Sequence, residues 1–114
     1  MKKHKPLHLF NETWCCNIWY SYCTAKDYIK YLKNRHNIEV DSLGEGRYQA
    51  VYVGNEIVHL IWIRKGMKRY IPHEAIHCAV EILRGKKIDV ANINGEEALC
   101  YLVDWIINKI KINK

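Results

Sequence analysis

Two histidines four positions apart, His73 and His77, bracket a glutamate, Glu74, in the stretch YIPHEAIHCAVEIL at residues 70–83. On a helix, positions i and i+4 lie one above the other, so both imidazoles project from one face and can reach one ion. Zinc takes imidazole nitrogen readily, and a catalytic zinc site uses three protein ligands and leaves the fourth position to water. The cation lowers the pKa of that water from about 15.7 to about 7, and a neighbouring carboxylate can accept its proton during attack on a carbonyl. His-Glu-x-x-His is the spacing this chemistry needs, with Glu74 as the general base. The pattern arises by chance roughly twice in a hundred chains of this His and Glu content, so it directs the search without ending it. The plain alternative is an amphipathic helix with two surface histidines.

A third ligand is expected on the next helix, in NGEEALCYLVDWI at residues 94–106. Glu97 is chosen over Glu96 because Tyr101 and Asp104 follow it at i+4 and i+7, forming a polar strip beside the apolar stripe of that helix. In this reading Glu97 is a ligand, Asp104 accepts a histidine N–H and Tyr101 gives packing or hydrogen-bond support. The rival is a capping box, Asn94-x-x-Glu97, in which Glu97 reaches back to a backbone N–H. Glu81 shares the histidine line but stands about 12 Å along the helix from His73, too far to share an ion with both. It reads as a solvated charge. His59 alternates with Ile57, Ile61 and Ile63, which favours a core histidine over a ligand and keeps it in reserve only. Cys15, Cys16 and Cys23 have no flanking motif that would make them ligands or nucleophiles.

The elements that must position these residues follow from periodicity and punctuation. PLHLF (6–10) and NIWYSY (17–22) read as short strands, and Thr24 as the N-cap of a helix running to about Arg35. RYQAVYV (47–53) and EIVHLIWI (56–63), joined by Gly54-Asn55, form a hairpin, because a two-residue link containing glycine supplies the positive φ such turns require. RKGMKRY is a basic loop, and Pro72 suits the first turn of the helix carrying the motif. That helix is expected to reach Arg84, with Gly85 as the left-handed residue past its end. The last helix is expected over about 95–109, with Leu99, Leu102, Val103, Ile106 and Ile110 on its apolar stripe. The whole predicts one α+β domain over residues 1–114: a small antiparallel or mixed sheet packed on the motif helix and a C-terminal helix, with residues 1–5 a flexible tail.

Composition narrows the setting. No run approaches the roughly 18 apolar residues of a membrane span, and the basic start MKKHKPLHLF meets Asn11 and Glu12 before a signal core can form. A cytoplasmic protein with no membrane partner is expected. Five cysteines without a C-x-x-C pair argue against a disulfide framework and a cysteine zinc module. The net charge of +6 is spread along the chain, which favours a solvated basic surface over a nucleic-acid site built from Lys65, Lys68, Arg69, Lys86 and Lys87. Oligomeric state is left open.

His73, Glu74, His77 and Glu97 resemble, in order, the ligand, base, ligand and ligand of zincin metallopeptidases of the glutamate-third-ligand branch. The stretch 70–107 is also similar to small phage and prophage proteins that carry an H-E-A-x-H helix followed by an E-A-x-x-Y-L helix. The resemblance implies a minimal zincin-like domain with one Zn2+ per chain and a protein or peptide substrate. It further implies Glu74 as base and then acid, with substrate extended along an edge strand such as EIVHLIWI. The larger relatives place Asp four residues after the third ligand, where this chain has Tyr101. Tyr70 is the candidate oxyanion stabiliser, against the plain role of a packed loop aromatic. The competing expectation is a zincin-like fold without catalysis, such as a phage-encoded inhibitor of a host protein.

Overall fold

The run VHLIWI at 58–63 is apolar but for one histidine, and a near-continuous apolar run suits a strand covered on both faces. The computed structural model describes residues 4–112 and buries all six of these side chains. They lie in β4 (Glu56–Arg64), which pairs antiparallel with β3 (Gly46–Val53) and parallel with β2 (Cys16–Cys23); β2 in turn pairs antiparallel with β1 (Leu7–Asn11). The strand order is β1-β2-β4-β3, a four-stranded mixed sheet. With three helices the architecture is α+β, as the patterning predicts.

Side chains alternate across β4, and so two cores form. Val58, Leu60 and Trp62 pack with Tyr28 and Leu32 of α1 (Ala25–His36). Ile61 and Ile63 pack on the other face with α2 (Ile71–Gly85) and with Leu102, Ile106 and Ile110 of α3 (Ile93–Ile112). Each fully buried Leu or Ile contributes about 1.5–3 kcal/mol. The hairpin forms at Gly54-Asn55, where Gly54 takes φ 64 and supplies the positive φ of a tight turn. Thr24 caps α1 by accepting the Asp27 N–H at 3.2 Å, and Asn37, at φ 55, ends it in the left-handed conformation.

Four expectations are corrected. β4 is an interior strand, flanked by β2 and β3, and the edge of the sheet nearest the motif helix is β3. Gly85 is still helical; the left-handed residue is Lys87, at φ 61, whose N–H bonds Arg84 O while the Ile88 N–H bonds Leu83 O. Those two bonds satisfy the last carbonyls in the Schellman manner. The basic loop contains a 3-10 turn at Lys68–Tyr70. Asn92, not Asn94, caps α3: its Oδ1 accepts the Gly95 N–H at 2.8 Å, so Asn94 is already helical and no Asn94-x-x-Glu97 box forms. Of the expected tail, residues 1–3 lie outside the described residues, while His4 packs edge-on to Tyr31. Among the described residues no helix is long and apolar enough to cross a membrane.

Gly95 fixes how α3 leaves the preceding turn. A Cβ there would stand 1.8 Å from the Asp89 carbonyl oxygen and 2.8 Å from Val90 Cα, both backbone atoms. Gly95→Ala is therefore expected to destabilise the protein by about 1–3 kcal/mol or more through forced backbone movement, read as a lower urea midpoint.

Candidate functional site

The buried positions of α2 are Ile71, Glu74, Ala75, Cys78, Ala79, Ile82 and Leu83, the three-and-four spacing of a helix laid on a core. Glu74 is the only charged residue in that seam. Pro72, beside the helix start, has no N–H to leave unpaired. His73 and His77 stand at the edge of the seam, one turn apart and exposed to solvent.

Their Nε2 atoms are 3.2 Å apart, with the rings at 78° to one another. Two nitrogens bound at about 2.0–2.1 Å to one tetrahedral zinc would be separated by roughly 3.3 Å, so the pair fits two corners of such a site. Glu74 is 6% exposed. Its Oε2 lies 3.9 Å from His73 Nε2. Burial raises the Glu74 pKa from its ordinary value, and the nearby His73 and His77 oppose that shift in part.

Gly46, the first residue of β3, closes the other side. A Cβ at this position would come within 3.0 Å of Glu74 Cγ and Oε2, so glycine is what lets the strand pass over the carboxylate. The open edge of the sheet thus begins directly against the candidate base. No signal in the sequence marks Gly46, which sits in a loop-like DSLGEG stretch.

The other candidates are placed elsewhere. Glu97, Tyr101 and Asp104 do share one face of α3, joined there by Ile93, Glu96 and Cys100 around a shallow depression. That face is solvent-exposed, with Tyr101 72% accessible. At about 100° per residue, Glu97 points roughly 180° away from Ile106, the centre of the buried seam. Among the described residues no set of three His, Cys, Asp or Glu side chains is grouped to hold a metal ion. Glu97 is not grouped with the histidine pair, whose Nε2 atoms stand at hydrogen-bond distance from each other. Tyr70 is half-buried against the core, with the Arg69 guanidinium 5.2 Å from its ring centroid. Glu81 is exposed and paired with Arg84. His59 is buried, hydrogen-bonded through Nδ1 to the Tyr48 hydroxyl at 2.7 Å, and its pKa is lowered chiefly by burial. It is a satisfied core histidine.

A carboxyl whose pKa rises on folding makes the folded state lose stability as pH climbs from the ordinary value through the raised one. Metal-free Glu74→Gln is accordingly expected to melt above the parent protein near neutral pH, and to lose that advantage as pH falls below about 4.5, followed by thermal melts across pH. Compared with family models, curated proteins and solved structures, the chain matches none.

Proposed function

We propose that the protein hydrolyses peptide bonds with a divalent cation, zinc by ligand chemistry, held on His73 and His77. The observation that carries this reading is the 3.2 Å separation of the two Nε2 atoms beside a buried carboxylate. When bound, the cation would acidify water and polarise a carbonyl. The chain's own residues do the rest. Glu74, made more basic by burial, takes a proton from water on Oε2 and returns it to the amine nitrogen as the C–N bond breaks. The unpaired N–H and C=O groups along the open edge of β3 can align an extended peptide by strand addition, and Gly46 keeps that edge close to Glu74. Five free cysteines support a reducing, cytoplasmic setting.

A second reading is a binding protein without catalysis. It is favoured by one placement, that of Glu97 on the far side of α3 from the buried seam. In it the two imidazoles face solvent beside one another, and Glu74→Gln leaves biological activity intact.

The test is metal content and peptide cleavage on the purified chain. One zinc per chain is expected, lost in His73→Ala and kept in Glu97→Gln. Glu74→Gln should keep the metal and lower the cleavage rate by about 100-fold or more; full cleavage by that variant would exclude the mechanism.

A further inference from the structure

On the face of the sheet opposite α2 lies a cavity of about 610 Å3, a size suited to a small organic ligand. It forms where the α1-side core stops. Tyr28, Leu32, Leu60 and Trp62 fill one end of the space between helix and sheet, and the cavity takes the other end, at Asn17, Trp19 and Val58. The sheet separates it from His73, Glu74 and His77, so it stands or falls independently of the hydrolase reading.

Its walls are flat rings. On the strand side His8 stacks on Trp19 with centroids 4.3 Å apart and planes 22° apart, and its Nε2 is tied to Asn17 Oδ1 at 2.7 Å. On the helix side stands Tyr31, with His4 edge-on at 5.8 Å and the His36 Nε2 3.2 Å from its hydroxyl. Helical spacing places Asp27, Lys30, Tyr31 and Asn34 along this one wall. Lys5, Lys30 and Arg35 outweigh Asp27 and Glu56 around the rim. Burial lowers the pKa of His4 and His36, so these imidazoles offer neutral nitrogens and the positive charge comes from the lysines and the arginine.

We infer that this cavity binds a small planar aromatic anion, with its ring against the aromatic side chains of the wall, Trp19 and Tyr31 among them, and its charged group toward Lys30 and Arg35. Stacking on aromatic rings and ion pairing at the rim act together: the first selects a flat ring and the second its charge. A phosphate-bearing ring and a carboxylate-bearing ring share this chemistry.

The full chain is titrated calorimetrically with AMP and, separately, with 4-hydroxybenzoate. At least one should saturate at one per chain, with the better probe telling phosphate from carboxylate, and the neutral adenosine should bind about tenfold weaker or worse. Lys30→Glu with Arg35→Glu should weaken binding by about tenfold or more. Lys65→Glu with Lys86→Glu, the same change of charge at exposed sites off the cavity, should leave it unchanged. Circular dichroism checks that both double variants are folded. Failure of both probes to saturate overturns the inference, as does equal weakening by the two double variants, which would reduce the effect to net charge.

Discussion

Burial of β4 on both faces is the constraint on which everything else in this molecule depends. A strand with apolar side chains pointing both ways needs cover on both sides, and α1 supplies one cover while α2 and α3 supply the other. The sheet consequently becomes a partition. On one side it presents the histidine pair and Glu74; on the other it leaves a ring-lined cavity between α1 and the strand residues Asn17, Trp19 and Val58. His59 is the polar exception in the buried run of β4, and Tyr48 satisfies it across the neighbouring strand.

A second tension sits in α2. Its seam would be more favourable with an aliphatic residue at position 74, since desolvating a carboxylate works against folding. The same desolvation makes that carboxylate a stronger base, and the bare Gly46 backbone gives it room. Local rules are broken here together: a charge in an apolar stripe, and a glycine at the start of a strand. Both departures from the local rules fall at one place, where the strand meets the carboxylate.

Local features were legible in the sequence. Gly54-Asn55 marks its hairpin, Thr24 its cap, and the spacing from Ile71 to Leu83 its amphipathic helix, because each depends on residues within a few positions of one another. Strand order is different. Nothing near EIVHLIWI says whether β2 or solvent lies alongside it. The placement of Glu97 is legible too: measured round the helix from Leu102 and Ile106, it falls opposite the buried seam and not beside it. Asn92 was missed as a cap because Asn94 offers the same chemistry two residues later. Gly46 and the cavity behind Trp19 leave no mark at all, since both arise from segments brought together only by the sheet.

The parallel pairing at the heart of the sheet joins Asn17 to Val58 and Cys23 to Arg64, partners about 40 residues apart along the chain. Until the second of them has emerged from the ribosome, the first hairpin, β1 with β2, has only one neighbour and a bare flank, with α1 and its aromatic face unsupported. Pairing between strands so far apart in sequence forms slowly, because the loop-closure entropy must be met before the pairing contributes any stability. The molecule should therefore assemble late and all at once, with its N-terminal third waiting on residues 58–64 for a reason to order.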